Sequence, residues 1–418
     1  MSKLALQGGK PVTKNLIGTT QLISRRDLER RYLLETFDKG PLDDWPGAKS
    51  TAAAFAAEFA AFQGARHCSL ITNGTHTLQL ALESLGIGWG DEVIVPGMTW
   101  QATASTVCDV NAVPVLVDIE PDTLCMDPAK VEAAITPRTR AIVPVHLYNR
   151  LANMDRLLAI ARRHKLHVIE DCAHSHGSQW KGHGTGSMGV FGSFSFQNSK
   201  SMRAGEGGAL IMNSKDLYGV IESQRCCGRR FPERPKAQMH SGNYRMTSLQ
   251  AALLRGQLAA MHRNAAVMDR NGQALDRAVA AAPGVLPMRR DPRITRQVGY
   301  CYAFRYDSEA YDGVPLVTFR KALAAELSWD FFPAYTPLHH SELYTPHTKR
   351  RHQISAAYTR AITPSRWKLP VAHDIWENRA VITLWQIYGL APSRAHFLSD
   401  AIAKLHENRA ELRKLASK

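Results

Sequence analysis

From about residue 66 the chain alternates short β-branched apolar runs with stretches in which apolar residues recur at i, i+3 and i+4. The runs predict strands over 67–71 (HCSLI), 92–96 (EVIVP), 114–118 (PVLVD), 140–146 (RAIVPVH), 166–170 (LHVIE), 190–196 (VFGSFSF) and 208–212 (GALIM). The periodic stretches between them predict helices, among them 75–85, 127–135 and 154–164. Strands this uniformly apolar, joined mostly by helical crossovers, imply an α/β architecture: a mostly parallel seven-stranded sheet covered on both faces.

The pattern changes after the seventh run. Residues 247–282 predict two long amphipathic helices, TSLQAALLRGQLAAM and the segment after Arg263, with no strand between them. Beyond Pro283 come scattered strands such as 299–306 (GYCYAFRY), mixed with helices over 317–327 and 393–416. A chain of 418 residues exceeds the roughly 250–300 at which one core stops growing. The expected division is an N-terminal arm over 1–50, a large domain over 51–284 and a smaller α+β domain over 285–418.

Composition narrows the class. The N-terminus, MSKLALQGGK, lacks an apolar leader core, and no window approaches the roughly 18 apolar residues of a membrane span. Seven cysteines are scattered, with no CxxC pair and no metal-ligand spacing, as in a reducing compartment. A soluble, cytoplasmic protein with no membrane partner is expected. The net charge of +15 invites a nucleic-acid reading. Basic residues are instead spread along the chain, with clusters at Arg229–Lys236 and Lys349–His352, and no nucleic-acid recognition module accompanies them.

Candidate chemistry begins at Lys200, between an apolar strand end (Ser193 to Phe196) and the glycine cluster Gly205-Glu206-Gly207-Gly208. A pyridoxal 5'-phosphate (PLP) enzyme needs a lysine whose amine reaches the cofactor aldehyde and then moves the substrate's proton; an isolated loop lysine is simply solvated. Twenty-nine residues upstream, Asp171 follows the run LHVIE. A carboxylate at the carboxyl end of a central strand faces the ligand crevice of an open α/β sheet and could hold a pyridine nitrogen protonated, or could be a helix cap. The turn Thr72-Asn73-Gly74-Thr75 joins a strand to an apolar helix. It reads either as a plain capped turn or as a phosphate cradle on a helix N-terminus.

These stretches, with Pro96-Gly97-Met98-Thr99-Trp100-Gln101-Ala102-Thr103, Glu170-Asp171-Cys172-Ala173-His174, Ser195 to Lys200 and Asn243-Tyr244-Arg245-Met246, resemble in order and spacing the DegT/DnrJ/EryC1/StrS aminotransferase family over roughly residues 40–265. The resemblance implies the fold-type I aminotransferase architecture, PLP as cofactor, and a homodimer with active sites shared across the interface. Carried over by it, Lys200 binds the cofactor covalently and Asp171 pairs with the pyridine nitrogen. Trp100 stacks on the ring, Gly74, Thr75 and Ser195 bind the phosphate, and Asn243 reaches it from the other subunit. His174 lies near the cofactor's 3-hydroxyl, where many sugar enzymes carry Gln; a histidine there resembles instead the E/Q-D-x-A-H variant of the 3-amino-5-hydroxybenzoate synthases.

Residues 335–352 (YTPLHHSELYTPHTKRRH) and the N-terminal Leu6-Gln7-Gly8-Gly9-Lys10-Pro11-Val12 resemble the 2-deoxy-scyllo-inosose and scyllo-inosose branch of that family. That likeness implies transfer of an amino group from glutamine or glutamate to a keto-cyclitol. Tyr335, His339, His340 and Tyr344 are the candidate substrate contacts, since a polyhydroxylated ring needs hydrogen-bond partners and an apolar face; the segment could equally be a basic surface loop. A nucleotide-linked keto-sugar as acceptor and a dehydrating benzoate-synthase activity are the alternatives among enzymes. A regulator built on the same fold would need a recognition module that neither end supplies.

Overall fold

The computed structural model describes residues 3–45, 49–230 and 239–416; residues 231–236 of the basic cluster at 229–236 lie outside these. No helix among the described residues is long and apolar enough to cross a membrane.

In chain order come α1 (Arg26–Lys39), α2 (Thr51–Gln63), β1 (His67–Ile71), α3 (Gly74–Ser84), β2 (Glu92–Pro96), α4 (Ala102–Asp109) and β3 (Val113–Val117). Next are α5 (Pro128–Ala133), β4 (Thr139–Ile142), α6 (Met154–His164), β5 (His167–Asp171), the short β6 (Gln179–Trp180) and β7 (His183–Gly184), β8 (Phe191–Ser195) and β9 (Gly208–Met212). Then follow α7 (Lys215–Arg225), α8 (Ser248–Ala280), β10 (Val285–Pro287), β11 (Ile294–Arg296), β12 (Cys301–Tyr306) and α9 (Leu316–Leu327). The chain ends with α10 (Ala356–Ile362), α11 (Pro370–Asp374), β13 (Ala380–Leu384), α12 (His396–Glu407) and α13 (Arg409–Ala416).

The main sheet has the order β1-β9-β8-β5-β4-β2-β3. Its pairs β2–β3, β2–β4, β4–β5 and β5–β8 are parallel, and β9 runs antiparallel to both of its neighbours. The predicted strands thus form the α/β sheet expected, with β4 ending at Ile142 rather than 146. A second sheet, β10-β12-β13, is wholly antiparallel.

Residues 247–282 depart from the expectation of two helices. They form one helix of 33 residues, α8, opened by a capping box between Thr247 and Gln250, an arrangement whose loss costs about 1 kcal/mol. Midway along α8, just past Arg263, Asn264 accepts from the Ile23 amide at 2.9 Å and donates to the Ile23 carbonyl at 2.9 Å. The helix therefore ties down the N-terminal arm at its middle. It packs on α1 and α2 at its start and on β10 at its end. The expected helix over 393–416 is in turn divided, at Asn408, into α12 and α13.

Strand alternation aims the site. On β8 and just beyond it, Phe194 and Phe196 are fully buried against Phe55 and Phe59 of α2, with ring centroids 5.1 to 5.7 Å apart. Ser195, between them, must point to the opposite face, and it lines a cavity of about 650 Å³ at the carboxyl ends of the parallel strands.

Candidate active site

Lys200, Asp171, Gly74, Thr75, Trp100, His174, Ser195 and Tyr335 all line that one cavity. Sequence reasoning placed them in separate segments up to about 260 residues apart; the sheet order brings β1, β5 and β8 to a common end. Gly74 opens α3, whose Asn73 cap accepts from the His76 amide at 2.9 Å. A side chain at Gly74 would put its Cβ 2.7 Å from Ser195 Cβ, so only glycine lets the turn approach β8 this closely. The helix end so presented is where amides lack intrahelical partners and an anion is favoured.

Asp171 is the last residue of β5. Its carboxylate accepts from Thr103 Oγ1 at 2.9 Å and from the Ala173 amide at 3.2 Å. Burial raises its pKa, and Lys200 and His146 work against that rise. An anion kept this deep calls for a cationic partner.

Beneath it, Glu170 accepts from the amides of Gly186, Met188 and Gly189 at 2.7 to 2.9 Å. It also pairs with His146 Nε2 at 3.1 Å, while His146 Nδ1 accepts from the Ala152 amide. His146, Glu170 and Cys172 are close enough for a metal, but donors already occupy both oxygens of Glu170. The group works as an anchor for the strand end that carries Asp171.

Lys200 is nine-tenths buried, and its Nζ lies 4.1 Å above the Tyr300 ring. Burial brings its pKa down to about 8, with Asp171 pulling the other way. On its other side the Tyr300 ring stacks on His174, with centroids 4.2 Å apart, and its hydroxyl donates to Ser199 Oγ at 3.0 Å. Burial, and Lys200 after it, depress the His174 pKa strongly, so this imidazole is neutral. Its Nδ1 accepts from the Tyr148 amide at 3.2 Å, which leaves the proton on Nε2, 3.4 Å from the Tyr335 hydroxyl. Trp100 stands half-exposed at the wall, 5.8 Å from the Tyr335 ring.

The other candidates are not brought to this cavity. Tyr344 is 2% exposed and belongs to the core, its hydroxyl 3.8 Å from Cys108 Sγ; a side chain packed behind α4 cannot meet a ligand here. The His339 and His340 rings lie tilted to each other with centroids 4.1 Å apart and join His373 and Trp376 in a separate cluster. Asn243 is exposed, accepts from the Arg245 amide, and is not among the residues lining the cavity of its own chain. Tyr300 and Thr103 were missed as site residues: Tyr300 fell within the predicted strand 299–306, and Thr103 closed the Pro96–Thr103 stretch with no role given to it. Only the tertiary pairing gives them partners.

The donor set fits PLP: a nucleophilic amine of lowered pKa, a buried carboxylate wanting a cation, a helix N-terminus suited to phosphate and an indole free to cover a flat ring. The profile of the DegT/DnrJ/EryC1/StrS aminotransferase family matches residues 30–383. An L-glutamine:2-deoxy-scyllo-inosose aminotransferase of Streptoalloteichus tenebrarius is 42% identical over 378 residues, 88% of each chain. Among solved structures, 3-amino-5-hydroxybenzoic acid synthase is 29% identical with a TM-score of 0.79, covering 93% of this chain and 100% of its own. DesI, solved in the presence of its TDP-sugar product, is 26% identical with a TM-score of 0.79, covering 99% of both chains. The enzyme described here is an aminotransferase, and its chain belongs to the DegT/DnrJ/EryC1/StrS family.

Proposed function

We propose that this aminotransferase uses PLP to move an amino group from glutamine to a free, polyhydroxylated cyclic ketone of the scyllo-inosose class. The observation that carries the reading is the convergence of Lys200, Asp171 and Tyr335 on one cavity, in a chain 42% identical to an inosose aminotransferase. The chemistry PLP supplies, when bound, is an aldehyde that takes up the donor's amino group and a protonated ring that draws electrons from the adjacent carbon.

The remaining work falls to the chain. Lys200 would hold the cofactor covalently and, when free of it, would take and return the substrate proton, a role for which a pKa near 8 suits it. Asp171, held by Thr103 and Ala173, keeps the pyridine nitrogen charged. Gly74, Thr75 and Ser195 would receive the phosphate, Trp100 would cover the ring, and neutral His174 would stand beside the 3-hydroxyl. Asn243, exposed and outside the lining of its own chain's cavity, serves the site of a second copy in a homodimer. Tyr335 presents its hydroxyl to the acceptor.

A nucleotide-linked sugar would need cations for its diphosphate, and the run Lys349-Arg350-Arg351 is the sequence's offer. Two of those charges are already engaged: Lys349 Nζ lies 3.4 Å from Asp109 Oδ1, and Arg351 pairs with the same carboxylate. This favours the free cyclitol. The test is incubation of the PLP-loaded protein with glutamine and either scyllo-inosose or a nucleotide-linked 4-keto-sugar, with products read by mass. We expect the amino-cyclitol; amination of the sugar alone would overturn the reading.

The lowered pKa of Lys200 makes a separate prediction about cofactor uptake. Only the neutral amine attacks an aldehyde. The rate at which cofactor-free protein takes up PLP should therefore rise with pH through about 8 and level off near pH 9, where an ordinary lysine, with a pKa of about 10.4, would still be gaining. Visible absorbance on mixing reads the rate. A rate still climbing at about pH 10 would show a solvated lysine.

A further inference from the structure

We infer that Tyr148, which is not part of the cavity lining, positions three of its aromatic side chains at once and so sets the fit of the ring ketone. The inference rests on the proposed function, in which Tyr335 faces the acceptor.

Tyr148 is 3% exposed and follows β4. Its backbone φ of 54° lies in the left-handed region that bulky residues avoid unless the surroundings hold them there. Three bonds do so. The Tyr148 amide donates to His174 Nδ1 at 3.2 Å, its carbonyl accepts from the Tyr300 amide at 3.0 Å, and its phenol oxygen accepts from the Tyr335 amide at 2.7 Å. The ring packs beside those of His174 and Tyr335, at 5.9 and 5.3 Å.

One residue thus fixes the tautomer of His174, the height of the Tyr300 ring on which Lys200 rests, and the place from which Tyr335 enters the cavity. The first two links are main-chain bonds and survive a change of side chain. The third is the phenol alone. Removing it leaves the Tyr335 amide buried without its partner, which the local chain relieves by moving. Tyr335 then shifts, while Lys200, Asp171 and the phosphate cradle keep their places.

The experiment is a double-substitution cycle of Tyr148→Phe and Tyr335→Ala on the PLP-loaded enzyme, with KM and kcat measured for glutamine and for scyllo-inosose. Tyr148→Phe alone should raise the inosose KM by about tenfold, with the glutamine half-reaction within about twofold and the cofactor's visible spectrum unchanged. In the Tyr335→Ala background the same substitution should add less than about twofold, because its effect travels through Tyr335.

Equal rises for both substrates, or full additivity in the cycle, would overturn the inference and make Tyr148 a general packing residue. A melting temperature for each variant separates lost fold from lost fit. Should the wild type ignore inosose and aminate another ketone, the cyclitol reading falls, and the same cycle run on that ketone still decides the role of Tyr148.

Discussion

Lys200→Ala is expected to reduce transamination by roughly 10⁴-fold or more, because one substitution removes both the covalent attachment and the group that moves the proton. Among the described residues the amine has no understudy in the cavity, whose lining includes no other lysine. Borohydride treatment of the wild type with PLP should leave a stable mass addition on the peptide bearing Lys200, and none on the variant. Full turnover by Lys200→Ala, or the adduct on another lysine, would sink the assignment. The same variant tests the shared site: mixed with chains carrying Asn243→Ala, it should regain activity if each site draws Lys200 from one chain and Asn243 from the other.

Asp171→Asn comes second in expected effect. The amide fills the same volume, and Thr103, which also contacts Thr99 at 3.0 Å, can turn its hydroxyl to suit, so fold and cofactor binding should persist. A neutral side chain cannot hold the pyridine nitrogen charged, and the half-reaction with glutamine should slow by about 10² to 10⁴-fold. Stopped-flow absorbance follows that step directly. A near-normal rate would leave Asp171 as a structural carboxylate.

The central strands were legible because strands buried on both faces write themselves as short apolar runs, and their ends fell close to those observed. The candidates at those ends, Gly74, Asp171 and Ser195, were legible for the same reason: position at a strand's carboxyl end already says crevice. Segment 335–352 was harder. Tyr335, His339, His340 and Tyr344 look alike as polar aromatics, yet only the first reaches the cavity: Leu338 bonds back to Gly97, Tyr344 packs in the core, and His339 and His340 belong to a separate cluster in which His340 is exposed. Tyr300 and Tyr148 gave no signal, because their roles depend on strands and turns from distant parts of the chain. The unbroken α8 was divided in two at Arg263, although its buried stripe runs through Leu258, Met261, Ala265 and Met268 without a gap.

That unbroken helix has a mechanical consequence. About 50 Å long at 1.5 Å per residue, α8 runs from the α1 and α2 layer to β10 of the second sheet, and Asp276 near its end grips Arg150 and Tyr302 at 2.9 and 3.0 Å. A beam clamped at both ends and at its middle has no joint about which the two sheets could swing. Traffic into the cavity is then a matter of side chains and loop edges at the mouth, where Trp100 stands half-exposed, while the catalytic distances behind it stay as stiff as the beam.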